Sequence, residues 1–123
     1  MDKPWRLPVF DAYGMTKWRW MCQYRENLIL HKNTDIGAFT YINAKYGVEI
    51  EEDVQIGSHC SIYSLNTENG TMGKVIIRKN ACIGSHCVIF PNVVIQENEN
   101  VPAGSIVYVD STGNRKIKKV VKC

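Results

Sequence analysis

With 123 residues, a hydrophobic content of 45% and a net charge of +3, the chain has the size and composition of a single globular domain. Its apolar runs are far shorter than the roughly 20 residues of a membrane-spanning helix, and no apolar signal-peptide core precedes Arg19. Much of the excess positive charge lies near the C-terminus, which predicts a local anion site and excludes a nucleic-acid surface. We expect a cytoplasmic protein without a membrane span.

The N-terminal segment, residues 1–28, lacks the periodicity of the following residues and is rich in aromatic side chains. These are Trp5, Tyr13, Trp18, Trp20 and Tyr24. A stack of repeats exposes apolar core and unpaired strand edges at its ends, and an atypical aromatic segment is suited to cover them. Residues 1–28 are therefore predicted to form an N-terminal cap.

Residues 29–110 carry a six-residue repeat. The pentapeptide Ile-Gly-Ser-His-Cys occurs at residues 56–60 and again at 83–87, and its register extends in both directions with two longer steps. The aliphatic positions are Leu30, Ile36, Ile42, Ile50, Ile56, Ile62, Ile77, Ile83, Ile89, Ile95, Val101 and Val107. A helical period does not produce a six-residue repeat, whereas short strands separated by turns in a three-sided solenoid do. The twelve hexads predict an all-β fold, a parallel β-helix of about four triangular coils.

The position four residues after each aliphatic residue supports this fold, because it also points inward and needs a small side chain. Most hexads meet that need, as at Thr40, Cys60 and Cys87. The chain has five cysteines, an odd number without the spacing of a zinc site. We interpret them as reduced thiols, place Cys60 and Cys87 in the core, and expect no metal.

Two steps between aliphatic positions are longer than six residues, from Ile42 to Ile50 and from Ile62 to Ile77. Both fall at the same corner of the predicted solenoid. Insertions stacked on one edge of a solenoid commonly mark its binding face. The second insertion predicts one protruding corner loop over residues 63–76, with turn-forming residues at Asn69 and Gly70.

Stacking of coils about 4.8 Å apart also predicts which outward residues are neighbours. Phe39, His59, His86 and Gly104 occupy equivalent places, so they are predicted to form one ladder on the outer surface. The repeat ends near residue 110, and residues 111–123 are predicted to be a basic C-terminal tail. Its cationic residues are Arg115, Lys116, Lys118, Lys119 and Lys122.

The repeat is similar to that of the left-handed β-helix, or hexapeptide-repeat, acyltransferase superfamily over about residues 29–110. Residues 83–93, Ile-Gly-Ser-His-Cys-Val-Ile-Phe-Pro-Asn-Val, and 101–107, Val-Pro-Ala-Gly-Ser-Ile-Val, resemble its galactoside and maltose O-acetyltransferase branch. The resemblance implies a left-handed coil, a homotrimer with active sites in the clefts between subunits, and acetyl-CoA as the co-substrate.

The same resemblance implies which residues hold the coenzyme. In that family, backbone groups at the positions of Ser85 and Ala103 hydrogen-bond the pantetheine arm. The family's phosphate-binding basic residue falls near Val109 here, which departs from the pattern. Because a phosphate needs cationic donors more than a particular position, Lys116 or a neighbouring cation of the tail is the candidate replacement.

Acetyl transfer to a hydroxyl or an amine needs a general base. The histidine that supplies it in the family matches residues 64–68, a segment that contains no histidine. The nearest counterparts are Asn66 and Thr67, and Glu68 is an acidic candidate for the base. The acidic substrate contact of the family falls near Lys45, which is a second departure.

The histidines are the alternative source of a base, because imidazole titrates near neutral pH. His59 or His86 is predicted either to reach across the trimer cleft and act as the base, or to be a solvated or interfacial turn residue. His31, near the capped end, is the weaker candidate.

The resemblance predicts an acetyl-CoA-dependent acetyltransferase that modifies a sugar or a nucleotide-linked sugar, in polysaccharide or glycan assembly. The short chain lacks the N-terminal nucleotide-binding domain of some relatives, which favours O-acetylation over N-acetylation. Two alternatives stay open. One is a non-catalytic trimeric β-helix scaffold, suggested by the missing loop histidine, and the other is a γ-type carbonic anhydrase with zinc bound by histidines shared between subunits.

Overall fold

The computed structural model describes residues 4–119, which form short strands joined by tight turns. The strands are β1 (Met21–Gln23), β2 (Leu28–Leu30), β3 (Asp35–Ile36), β4 (Tyr41–Asn43), β5 (Val48–Ile50), β6 (Gln55–Ile56), β7 (Ser61–Tyr63), β8 (Val75–Ile77), β9 (Cys82–Ile83), β10 (Val88–Ile89), β11 (Val94–Ile95), β12 (Asn100–Val101), β13 (Ser105–Val109) and β14 (Arg115–Lys119). A turn of 3-10 helix, Arg25–Asn27, lies between β1 and β2. No helix in this part of the chain is long and apolar enough to cross a membrane.

Three sheets run along the molecule, and each coil contributes one strand to each sheet. Sheet A has the strand order β1-β4-β7-β10-β13-β14, sheet B has β11-β8-β5-β2, and sheet C has β12-β9-β6-β3. From β1 to β13 the strands pair in parallel, with equivalent hexad positions in register, as Ile42 with Ile62 and Ile62 with Ile89. The predicted parallel β-helix of about four coils is confirmed.

The aliphatic residue of each hexad faces the interior. Those from Ile36 to Val107 are buried, and Leu30 packs against the same core while partly exposed. Neighbouring residues point outward, so that in β9 Ile83 is buried and Cys82 is exposed. Full burial of such a side chain contributes about 1.5–3 kcal/mol, which makes this column of isoleucine and valine the main stabilising feature of the fold.

The corners between sheets B and C are built from residues in the left-handed backbone region. Asn33, Asp53, Asn80 and Asn98 have φ between 61° and 63°. Asn and Asp tolerate this conformation better than most residues. The side chains also support the stack, since Asn80 Nδ2 donates to Asn98 Oδ1 at 2.7 Å. This corner therefore has a structural explanation.

The glycine of the repeated Ile-Gly-Ser-His-Cys motif is required by a close approach between coils. A Cβ atom on Gly84 would lie 2.5 Å from the backbone nitrogen of Ala103, and one on Gly57 would lie 2.5 Å from that of Ser85. Any larger residue would push the next coil away. The motif thus reflects tight packing where sheet C turns into sheet A.

The N-terminal segment both covers the first coil and extends sheet A. Within the predicted cap, β1 pairs in parallel with β4. Trp20 is buried and packs edge-to-face on Phe10, with ring centroids 5.4 Å apart. Trp5 Nε1 donates to the backbone oxygen of Thr34 at 3.1 Å. The solenoid therefore begins before residue 29.

At the other end, part of the predicted basic tail folds back as β14, antiparallel to β13. Arg115 anchors it, because its guanidinium donates to Glu99 Oε1 at 2.8 Å and Glu99 Oε2 at 2.6 Å, and also to Val94 O. Lys122 lies outside the described residues. The tail is thus a sheet strand as far as Lys119.

Candidate functional site

A protruding loop, residues 64–74, lies at the predicted corner, between β7 in sheet A and β8 in sheet B. Leu65 and Met72 form a bridge at its base. Asn66 organises its tip: its N–H donates to Thr71 O, its carbonyl accepts from Gly70 N–H, and its Oδ1 accepts from Glu68 N–H, all within 2.8–3.0 Å. The loop therefore has a defined conformation.

The loop overhangs the outer face of sheet A and borders two grooves. The first, the aromatic groove, has a volume of about 410 Å³, and its floor includes Tyr41, Tyr63 and Phe90. Its rim consists of Asn43 and loop residues 65–68. The second, the C-terminal groove, measures about 440 Å³ and lies between the loop and Tyr108, Ile106 and Lys118. Asn66, Glu68 and Phe90 line both.

The structure brings Asn66, Thr67 and Glu68, the loop residues singled out in the sequence, to the rim of the aromatic groove. Asn66 is partly exposed, and Thr67 and Glu68 are exposed. A carboxylate, an amide and a hydroxyl converge there on a groove accessible to a small molecule. The proposed roles of these residues in catalysis stay predictions.

The predicted ladder of rings is present where sheet C turns into sheet A. The imidazoles of His59 and His86 stack with centroids 4.8 Å apart and planes at 2°, and Phe39 lies 5.1 Å from His59. All three residues are exposed and have positive φ, between 58° and 65°. His59 Nδ1 lies 3.1 Å from Ser58 Oγ.

Within one chain, the histidine ladder lies where the strands of sheet A begin, and the loop lies at their opposite ends, after β7. Tyr63 lies four positions after His59, which corresponds to about 13 Å of extended chain. The structure of one chain therefore does not bring either histidine of the ladder to the loop residues.

His31 lies at a third place, after β2, at the corner between sheets B and C. Its Nε2 is 3.0 Å from Glu49 Oε2, and Lys74 Nζ is 3.1 Å from Glu49 Oε1. Hydrogen bonds from His31 and then Lys74 hold the pKa of the Glu49 carboxyl below its usual value. His31 thus has a surface partner, Glu49, which also contacts Lys74 at the end of the loop, and neither His31 nor Glu49 lines the aromatic groove.

The residues predicted to hold the coenzyme lie on neighbouring coils. The N–H of Gly104, next to Ala103, donates to Ser85 O at 2.9 Å. Lys116 lies in β14 opposite Tyr108, towards the loop edge of sheet A. Lys119 is opposite Ser105, which places it nearer to Ala103 along the sheet. The role of Lys116 in binding the coenzyme stays a prediction.

Cys60 and Cys87 are buried, as predicted, and their thiols donate to backbone oxygens of Gly84 and Pro102. A hydrogen bond with Cys87, together with burial, raises the pKa of the Cys60 thiol. Burial raises the pKa of Cys22 to about 12. Between residues 4 and 119, no group of three or more His, Cys, Asp or Glu side chains is arranged to hold a metal ion.

Sequence reasoning missed the aromatic column on sheet A. Tyr63, Phe90 and Tyr108 directly follow the inward residues Ile62, Ile89 and Val107, so they occupy equivalent outward positions. Tyr63 and Phe90 have centroids 5.8 Å apart. The register of the repeat predicts that these outward residues are neighbours. The prediction of the fold used only the inward aliphatic residues.

The chain is similar to two proteins that carry out acyl transfer, although no protein-family model matches it. It is 31% identical over 86 residues to a serine acetyltransferase from Synechococcus elongatus, an alignment that covers 66% of this chain and 35% of that protein. The chain therefore spans about a third of the length of that curated relative.

A solved structure has the same fold. It is a mutant of AntD, an N-acyltransferase from Bacillus cereus, in complex with dTDP and coenzyme A. The TM-score is 0.54 at 20% identity, and the match covers 88% of this chain and 80% of that chain. The likeness places this protein in the structural class of parallel β-solenoids that includes this N-acyltransferase.

Proposed function

We propose that the protein belongs to the hexapeptide-repeat acyltransferase superfamily and transfers an acetyl group from acetyl-CoA to a sugar or nucleotide-linked sugar. The observation that carries the proposal is the groove beneath the corner loop, where Asn66, Thr67 and Glu68 meet an open face of the solenoid. The proposed setting is cytoplasmic polysaccharide or glycan assembly.

The comparisons support acyl transfer as the reaction class. One relative is a serine acetyltransferase, and the structural neighbour is an N-acyltransferase in complex with coenzyme A and dTDP. The dTDP ligand of that neighbour is consistent with a nucleotide-sugar acceptor. We retain a sugar hydroxyl as the first candidate for the acceptor group and a sugar amine as the second.

The proposed coenzyme site uses the edge where sheet C turns into sheet A. Backbone groups of Ser85 and Ala103, which lie on adjacent coils, would bind the pantetheine arm. Lys116, with the neighbouring cations Lys118 and Lys119, would attract the phosphates, because β14 places all three beside β13.

The proposed chemistry is attack of an acceptor oxygen or nitrogen on the thioester carbonyl. A base takes the acceptor proton, the bond between carbonyl carbon and sulfur breaks, and the proton is delivered to the coenzyme A thiolate. Glu68 is the base candidate within the loop, and His59 or His86 of a neighbouring subunit is the alternative. Asn66 and Thr67 would orient the acceptor.

A trimer is part of the proposal, because it would bring the histidine edge of one chain near the loop of another. The competing proposal is a non-catalytic trimeric scaffold, favoured by the absence of histidine from residues 64–68. The carbonic anhydrase alternative has less support, because His31 faces a different corner from His59 and His86 and contacts Glu49.

Calorimetric titration with acetyl-CoA, with light scattering on the same sample, tests the proposal. We expect binding of one coenzyme per chain in a particle of three times the 14.0 kDa chain mass. An intact trimer that does not bind acetyl-CoA would contradict acetyl transfer and favour the scaffold. Binding of zinc by the purified trimer would instead favour the carbonic anhydrase.

A further inference from the structure

The floor of the aromatic groove is a continuous row of rings across three coils. The Tyr41 and Tyr63 centroids are 5.8 Å apart, as are those of Tyr63 and Phe90, and the last two rings are inclined by only 21°. The side chains point away from the core and are partly exposed. The row is therefore available to a ligand on the outer face of sheet A.

A side-chain hydrogen bond holds the ring at one end of the row. Tyr41 Oη donates to Gln23 Oε1 at 2.6 Å, which fixes the first ring. Phe90 is anchored through its backbone, whose N–H donates to Val107 O at 3.0 Å. The Tyr41 ring therefore loses little side-chain entropy when a ligand binds.

Several polar groups at the rim of the groove are not used by the fold. Elsewhere, the amide nitrogens of Asn27, Asn80 and Asn92 donate to other groups of the protein. Within residues 4–119, Nδ2 of Asn66 makes no such bond, and the Oδ1 atoms of Asn43 and Asn66 accept from the backbone.

The remaining polar groups of the rim behave in the same way. The Thr67 hydroxyl, the Glu68 carboxylate and the Tyr63 hydroxyl make no hydrogen bond or ion pair with other groups in the described part of the chain. The groove thus combines two amide donors, two hydroxyls and one carboxylate above an aromatic floor.

We propose that the aromatic groove is a carbohydrate subsite in which a pyranose ring lies against Tyr63 and Phe90 and its hydroxyls bond to the rim. This inference rests on the proposed function, because it assigns a place to the sugar acceptor. It goes further because it names the aromatic rings on which the sugar lies and the polar rim residues that determine which sugar binds.

The chemistry of a sugar ring suits both parts of this site. One face of a pyranose presents C–H groups that pack on aromatic rings, while its hydroxyls both donate and accept hydrogen bonds. Asn43 and Asn66 supply donors for sugar oxygens, and Glu68 accepts from sugar hydroxyls. A phosphate is disfavoured at this end, because Glu68 would repel it and, among residues 4–119, no cationic side chain lines the aromatic groove.

Saturation-transfer NMR with methyl β-D-glucopyranoside, methyl β-D-galactopyranoside and thymidine tests the assignment on the intact protein. The variants are Tyr63→Leu and Phe90→Leu, which keep an apolar side chain but remove the ring. Tyr63→Phe is the conservative comparison because it keeps the ring. Tyr13→Leu is the control, since Tyr13 is exposed in the N-terminal segment and does not line the aromatic groove. Thermal unfolding of each variant establishes that it is folded.

We expect transfer to ring protons of at least one glycoside, weakened about tenfold in affinity by either leucine variant. Tyr13→Leu should retain it, and Tyr63→Phe, which keeps the ring and loses the rim hydroxyl, should weaken it less than Tyr63→Leu. Equal transfer in the folded leucine variants would overturn the assignment, as would a stronger response from thymidine than from both glycosides.

Calorimetry with acetyl-CoA on the same samples separates this inference from the proposed function. If the coenzyme binds but no glycoside contacts the platform, the carbohydrate subsite is contradicted and the proposed acetyl transfer is not. Glycoside binding that depends on Tyr63 and Phe90, without coenzyme binding, would retain the subsite and overturn the transferase.

Discussion

Among single residues, Asn66 shows how one side chain supports both the loop and the groove. Its Oδ1 accepts from Glu68 N–H and so shapes the loop, while its Nδ2 is directed to no partner among residues 4–119. An aspartate at this position would keep the acceptor and lose the donor. The two roles are therefore separable by substitution.

We expect Asn66→Asp and Thr67→Ala to lower acetyl-transfer turnover by about tenfold or more, because an acceptor positioned less accurately reacts more slowly. His31→Ala should have a much smaller effect, since His31 lies at another corner. Steady-state kinetics with the acceptor found by screening measure this. Equal activity of all three variants would remove the loop from the mechanism.

The cysteines provide a prediction about reactivity. Cys82 is exposed, whereas Cys22 and Cys60 are buried and their pKa values are raised. In a Cys123→Ser background, iodoacetamide at about pH 8 should therefore modify Cys82 in the folded protein and the inward cysteines only after unfolding. Peptide mass spectrometry locates the label. Modification of Cys60 or Cys87 in the folded protein would contradict their place in the core.

At the scale of elements, strands of two to five residues are too short to be stable alone, and each depends on the coil above and below. Alternation of inward and outward residues then decides which substitutions are tolerated. Glycine at the corners decides how closely the coils stack, as at Gly84.

Strand β9 offers a matched pair of substitutions on adjacent residues. Ile83→Asp should lower the free energy of unfolding by more than about 4 kcal/mol or prevent folding, because it places an unpaired charge in the core. Cys82→Asp should change it by less than about 1 kcal/mol, since this side chain is exposed. Urea unfolding measures both. Similar stability of the two variants would contradict the register.

The attachment of β14 should depend on pH. Arg115 holds the pKa of the Glu99 carboxyl below its ordinary value of 4.5. A carboxyl with a lowered folded pKa stabilises the fold above its unfolded pKa, and this contribution is lost as the pH falls through the folded pKa. The wild type should therefore be more stable than Glu99→Gln near neutral pH, with a difference that shrinks in acid.

Urea unfolding between about pH 7 and pH 3 measures that difference. Glu97→Gln is the matched control, because Glu97 is an exposed carboxylate in the same turn. A pH-independent gap between wild type and Glu99→Gln would show that the ion pair is not responsible.

For the whole molecule, stacked coils keep each corner in line along the solenoid, so that residues at different corners of one chain stay apart. The histidine ladder and the loop lie at opposite edges of sheet A for this reason. We propose that a site using both combines two chains. The closed symmetry of a trimer would provide such a contact three times.

Co-expression of two inactive variants tests this arrangement. If a histidine of the ladder is the base, a chain carrying His59→Ala and His86→Ala and a chain carrying Asn66→Ala should each be inactive. Each mixed trimer should recover activity at one of its three sites, where both contributing chains are intact, which is about one quarter of all sites when the two chains assemble at random in equal amounts. Full activity of the double histidine variant alone would instead favour Glu68 as the base, and inactive mixed trimers would contradict a shared site.

Much of the fold was readable from the sequence because its signal is local and repetitive. The inward column from Ile36 to Val107, the corner of the long insertion and the stack of His59 on His86 all follow from one register, and the structure confirms them. The ends of the solenoid were not readable, because β1 and β14 do not carry the hexad pattern.

The sequence by itself determined the repeat, the core and the position of the loop, since burial of every sixth residue constrains residue type. Only the tertiary structure decided which outward groups meet: Tyr63 and Phe90 beneath the loop, Arg115 on Glu99, and the histidines away from Asn66. Burial does not constrain the residue type at outward positions. Loops of unequal length also change the sequence separation between residues that are neighbours in space. Their contacts therefore depend on how the coils stack and on where the chain turns back.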